Sequence, residues 1–143
     1  MADTFERGLR HRLRRALRRI ESQHVQMRAL LHELEEATRG KDAAATREPL
    51  AHLRDALAAH FELEDQVLFP ALHGLLPGAR ISLEALSAQH REFLTELDDM
   101  LASKRVCNAE AVARLHASIG EHERSEELVL EEILGKENLP DVH

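Results

Sequence analysis

Apolar residues recur three and four positions apart along most of this chain, and that spacing leaves little room for anything but helices. Phe5, Leu9, Leu13, Leu17, Ile20, Met27, Leu31 and Leu34 form the first such stripe. Residue usage agrees. Leu, Ala, Glu and Arg dominate while Val, Ile and Thr are sparse, a balance that favours helix over strand. Only six Gly and four Pro interrupt the 143 residues. They put breaks near Gly40, near Leu76-Pro77-Gly78 and near Lys104 to Asn108.

Four helices are therefore predicted. The first runs from about Thr4 to Thr38, with Gly40 as its stop. The second starts near Glu48-Pro49, carries Leu53, Leu57, Val67 and Ala71 on one face, and is kinked by Pro70. The third starts at Ser82 as N-cap and carries Leu83, Leu86, Phe93, Leu97 and Leu101. The fourth follows Asn108 and carries Val112, Leu115, Ile119, Val129 and Ile133. Four amphipathic helices with short loops predict an all-α, up-down-up-down antiparallel four-helix bundle. Residues 1–143 are expected to form one domain, since that length buries an adequate core.

Composition excludes several classes. A lone cysteine, Cys107, rules out an intrachain disulfide framework and reads as an incidental thiol. With four Phe and no Tyr or Trp, a module that stacks bases is not expected, so no nucleic-acid partner is. No apolar run suits a membrane span or a signal peptide, so no membrane partner and a cytoplasmic location are expected. Residues 1–20 hold seven Arg against Asp3 and Glu6, a net of +5 in a chain of net −7. Because the apolar stripe continues through them, they read as the solvated face of the first helix. Oligomeric state leaves no mark in the sequence.

Histidine is the excess: ten residues in a chain almost without aromatics. A turn of 100° per residue sorts them by face. His24 falls with Leu17, Ile20 and Leu31, and His60 with Leu53, Leu57, Val67 and Ala71. His90 falls with Leu83, Leu86, Leu94 and Leu97, and His122 with Leu115, Ile119 and Val129. His11, His32, His52, His73 and His116 fall off the stripes, and His143 is the chain end. Each helix thus contributes one inward histidine.

Two carboxylates join them. Glu64 follows His60 by four residues and Glu126 follows His122 by four, so each shares its histidine's face. A buried carboxylate costs several kcal/mol unless it is paired or bound to metal. No Lys or Arg lies central to any stripe; Arg28 reaches only an edge. A metal ion is expected to supply the missing charge; the other reading is a polar core network. Four imidazoles and two carboxylates without a thiolate suit iron, manganese or zinc, and iron is preferred because open positions on a redox metal have a use. No catalytic side chain is singled out. Asp65 and Glu127 lie about 140° from their histidines and read as rim acids, with Glu127 a reserve ligand. Phe61, Leu68 and Phe69 read as core packing. No His-Glu-x-x-His occurs, and only Glu21-Ser22-Gln23-His24 has the Glu-x-x-His spacing of ferritin-like proteins.

The chain also echoes itself. Ser22-Gln23-His24, followed by Met27, Leu30 and Leu31, matches Ala88-Gln89-His90, followed by Phe93, Leu94 and Leu97. His60-x-x-x-Glu64-Asp65 matches His122-x-x-x-Glu126-Glu127. Helix one pairs with three and two with four, so the bundle is expected to have an approximate two-fold axis.

These segments resemble the hemerythrin-like family, also called the HHE cation-binding domain. The carrying residues are Gln23-His24 with Leu30-Leu31, His60-Phe61-Glu62-Leu63-Glu64-Asp65 leading to Leu68-Phe69-Pro70, Gln89-His90, and His122-Glu123-Arg124-Ser125-Glu126-Glu127. The resemblance implies two non-haem iron ions, oxo- or hydroxo-bridged. His24 and His60 would serve one, His90 and His122 the other, and Glu64 and Glu126 would bridge. The oxygen carriers of the family have His-x-x-x-His on the third helix and His-x-x-x-x-Asp on the fourth. Here Leu94 stands four after His90, and the acid on the fourth helix comes at the four-residue spacing. Both irons are then expected to be open and nearly equivalent. The resemblance implies handling or sensing of a small diatomic or peroxide ligand: peroxide, nitric oxide or dioxygen. The other expectation is a non-catalytic carrier of dioxygen or store of iron.

Overall fold

The computed structural model describes residues 4–40, 42–103 and 107–137. His143 and the centre of the break between Lys104 and Asn108 lie outside them. Among the described residues the chain is helical throughout, with no strand. Helix α1 spans Thr4–Arg39. A short 3-10 turn, Ala43–Thr46, is capped by Asp42, whose carboxylate accepts from the Ala44 amide. Helix α2 spans Arg47–Leu63 and passes through a π-helical turn, Glu64–Leu68, into α3, Phe69–Leu75. A 3-10 turn at Pro77–Ala79 leads to α4, Arg80–Ala102, and α5 spans Ala109–Glu137. Because α2, the π turn and α3 form one continuous rod, the chain is an all-α bundle of four long helices.

The core falls into two apolar blocks. One contains Leu9, Leu13, Ala16 and Ile20 of α1 with Leu68, Leu72, Leu83, Leu86 and Ile133. The other contains Met27, Leu31 and Leu34 of α1 with Leu50, Leu53, Leu57, Leu97, Val112, Leu115 and Ile119. Chain direction follows from them. The α1 helix runs from the first block to the second, the α2–α3 rod returns, α4 repeats the outward path and α5 returns. In each helix a polar residue separates the blocks: His24, His60, His90 and His122. The bundle therefore has apolar ends and a polar middle layer.

Several expectations are corrected. Phe5 is 68% exposed and Val67 36% exposed, so neither joins the core. The π turn explains Val67. The Phe69 amide donates to the Glu64 carbonyl five residues back, which inserts one residue and moves the inward position from 67 to 68. The distortion thus precedes Pro70, which sits in the first turn of α3 where its missing N–H is tolerated. The α4 helix begins at Arg80, not Ser82, after a turn capped by no side chain. Asn108 does cap α5, its side-chain oxygen accepting from the Ala111 amide at 2.8 Å. Of the seven arginines near the start, all but Arg10 are exposed, and Leu9, Leu13 and Ala16 among them are buried. No helix among the described residues is long and apolar enough to cross a membrane.

Candidate metal centre

One turn of each long helix builds the middle layer. The α1 helix supplies His24, α2 His60, the π turn Glu64, α4 His90, and α5 both His122 and Glu126. The structure brings all six together. Ligand atoms of Glu64, His90, His122 and Glu126 lie within 4.8 Å of one another, and those of His24, His60 and Glu126 form a second, overlapping group. Glu64 is 0% exposed and Glu126 4%; His60, His90 and His122 are buried, and His24 is half-buried.

The outer nitrogens of three histidines are tied down. Gln23 Oε1 lies 2.9 Å from His60 Nδ1, and Gln89 Oε1 lies 2.7 Å from His122 Nδ1. An amide oxygen only accepts, so each Nδ1 donates and each Nε2 turns a lone pair inward. His90 Nδ1 donates likewise to Asp65 Oδ1 at 3.0 Å, and Ser87 Oγ donates to that same oxygen at 2.6 Å. The interior is consequently crowded with acceptors. His90 Nε2 lies 3.0 Å from His122 Nε2, 3.1 Å from Glu126 Oε1 and 3.2 Å from Glu64 Oε1. His122 Nε2 lies 2.6 Å from Glu126 Oε1.

Among the described residues three buried side-chain atoms have no hydrogen-bond partner: His24 Nε2 and both Glu64 oxygens. Leaving such a group unsatisfied costs about 1–3 kcal/mol, more when it is charged. Converging lone pairs and orphaned oxygens are the arrangement a cation resolves, and nitrogen and oxygen donors without a thiolate fit iron, manganese or zinc. The residues present therefore fit a metal.

The titratable groups carry the same signature. Burial, with His24 alongside, pulls His60 down to about 3, so its imidazole stays neutral. Burial and then the adjacent Glu126 push Glu64 far above the carboxylate range. Burial pushes Glu126 up too, but contacts with His122, His90 and Glu64 override it and hold that carboxyl below its ordinary value. Without metal, the carboxyl pair keeps a proton.

Five side chains have roles beyond those read from sequence: Asp65, Phe61, Phe69, Gln23 and Gln89. Asp65 does more than line the rim, because its half-buried carboxylate bonds to His90. Phe61 and Phe69 do more than fill the core. Phe61 stacks on His90 at 4.1 Å and 7°, and Phe69 stacks on it at 5.7 Å and 19°. The two glutamines were visible as part of the internal echo, though their use was not. Glu127 is exposed whereas Glu126 is buried. The off-stripe histidines His11, His32, His52, His73 and His116 are all exposed. Cys107 is half-buried, with its thiol pushed up by burial.

A helical bundle with a buried layer of histidines and glutamates able to bind metal defines the class. Within it, the family model of the hemerythrin HHE cation binding domain matches residues 15–134, and the chain belongs to that family. No curated protein and no solved structure matches it.

Proposed function

We propose that this chain is a non-haem di-iron protein that handles or senses a small oxidant: peroxide, nitric oxide or dioxygen. In this reading His24 and His60 hold one ion, His90 and His122 the other, and Glu64 and Glu126 are shared. The observation that carries it is the layer of four histidines and two carboxylates gathered within ligand distance, in which His24 Nε2 and both Glu64 oxygens lack hydrogen-bond partners. When bound, an iron pair supplies redox chemistry at open coordination positions.

The protein's own residues support a small ligand. Leu94 packs with the second apolar block and offers no donor where the oxygen carriers place a further histidine. Met27, Leu57, Phe61, Phe93 and Ile119 wall a void of about 10 Å3 that touches His60 and His122. That is about the room one water-sized molecule needs. Its walls exclude bulky substrates and admit a ligand of about the size of water. A wider cavity of about 320 Å3 between α4 and α5 reaches Gln89 and His122 from outside, past Glu92, Glu96 and Glu121.

Two measurements test the proposal. Iron-loaded protein should contain about two irons per chain, and stopped-flow mixing with hydrogen peroxide or nitric oxide should change its spectrum. A metal-loaded protein inert to both counts against it. Reversible dioxygen binding by the reduced protein, without net oxidation, would favour the carrier alternative.

A further inference from the structure

The internal echo makes the two halves of the centre comparable residue by residue, and they are not alike. The glutamines are matched, with Gln23 on His60 and Gln89 on His122. Around His90 and His24 the symmetry fails. His90 is buried, stacked by Phe61 and Phe69, and bonded through Nδ1 to Asp65, itself held by Ser87. The positions of α5 and α1 that echo these are Glu123, Leu130, Glu127 and Glu21, with Leu130 opposite Phe69 because α5 lacks the residue inserted at the π turn. Glu127 and Glu21 are exposed, and Leu130 carries no ring. Among the described residues none of the four has a hydrogen bond or ring contact to His24. His24 is half-buried, its one ring neighbour is His60 at 4.8 Å, and its Nε2 is unpartnered.

We propose that Asp65, fixed by Ser87, together with the Phe61 and Phe69 rings, positions His90 so that the two metal positions are unequal. The position on His90 and His122 takes the first ion and keeps it; the position on His24 and His60 fills second and exchanges. The inference rests on the di-metal reading above and replaces the expected near-equivalence of the two ions.

Two physical terms set the order. A carboxylate on Nδ1 fixes the tautomer and ring angle and strengthens Nε2 as a donor. A neutral amide does this less well, and among the described residues no side chain does it for His24. Ordering matters as well. The first position already has four ligand atoms gathered, Glu64, His90, His122 and Glu126, whereas the second has three, one on the less buried His24.

Anaerobic titration of the metal-free protein with Co(II), followed by visible absorption and calorimetry, tests this. The unmodified protein should bind in two resolved steps. Asp65→Asn should weaken the first step by about 10–100-fold and leave the second unchanged. Ser87→Ala should shift the first step in the same direction by less. His24→Ala should remove the second step and retain the first. With one equivalent of 57Fe(II), Mössbauer spectra should show one iron environment, the same in His24→Ala. Two indistinguishable steps, or a first step unmoved by Asp65→Asn, would overturn the inference and leave the di-iron proposal standing. Absence of any binding by the unmodified protein would remove both. Should Asp65→Asn not fold, Ser87→Ala and His24→Ala decide the matter.

Discussion

His90 Nε2 and His122 Nε2 face each other 3.0 Å apart, although each ring already donates from its other nitrogen, to Asp65 and to Gln89. Two inward lone pairs at that distance repel unless a cation or a shared proton lies by them. The layer is thus built for charge it does not itself supply. Metal should therefore stabilise the fold strongly. Binding to the folded state alone adds about 4 kcal/mol when free ion exceeds the dissociation constant a thousandfold. Thermal unfolding with chelator and with saturating Fe(II) under anaerobic conditions measures it. Equal midpoints in the two conditions would contradict a metal-binding layer.

Glu64 should show the conflict between stability and binding directly. It is 0% exposed and both its oxygens lack partners. A buried group left unsatisfied carries a penalty of about 1–3 kcal/mol, which an apolar side chain of similar size removes. Glu64→Leu should accordingly make the metal-free protein more resistant to urea while removing metal binding. A variant less stable than the parent in chelator would show that Glu64 already has a partner without metal.

The pH dependence of the metal-free protein follows from the same groups. His60 is lowered to about 3 from an ordinary 6.5, so below 6.5 the unfolded chain binds a proton that the native state refuses. Stability then falls as pH drops through that window. Glu64 is raised from an ordinary 4.5, so above 4.5 the native state holds a proton that the unfolded chain releases. Its contribution is lost as pH rises. The two slopes, each about 1.4 kcal/mol per pH unit at most, oppose each other between them. Glu126, lowered from 4.5, steepens the acid side. Urea midpoints in chelator should therefore be level from pH 4.5 to 6.5 and decline on both sides. Bound metal should abolish the alkaline decline, because it replaces the Glu64 proton.

Helical phase was enough to select the residues of the middle layer, because α1, α4 and α5 keep a regular 100° turn around His24, His90, His122 and Glu126. It failed where regularity fails. The residue inserted at the π turn moved Val67 outward, which leaves no mark in a periodic pattern, and the bond of Asp65 to His90 depends on which helix lies beside it. Phe5 was placed inward by spacing alone, yet at the end of α1 it is 68% exposed. The paired glutamines were legible as a repeat but not as hydrogen-bond acceptors. Spacing tells which residues share a helix face, not which neighbouring helix that face meets.

The glutamines offer the last test, since the bonds they make are nearly identical, 2.9 Å to His60 and 2.7 Å to His122. Gln23→Leu leaves His60 Nδ1 without its acceptor, and Gln89→Leu does the same to His122. Each should cost the metal-free protein about 1–3 kcal/mol, the penalty for a buried donor left unpaired. Each should also weaken metal binding by about 10–100-fold, because the freed ring no longer holds its Nε2 lone pair inward. Gln23→Glu should retain binding, since a carboxylate still accepts from His60 Nδ1. Urea denaturation and metal titration of the three variants separate the effects. If Gln23→Leu loses stability but binds metal as the parent does, the glutamine is a core hydrogen bond and not an orienting group.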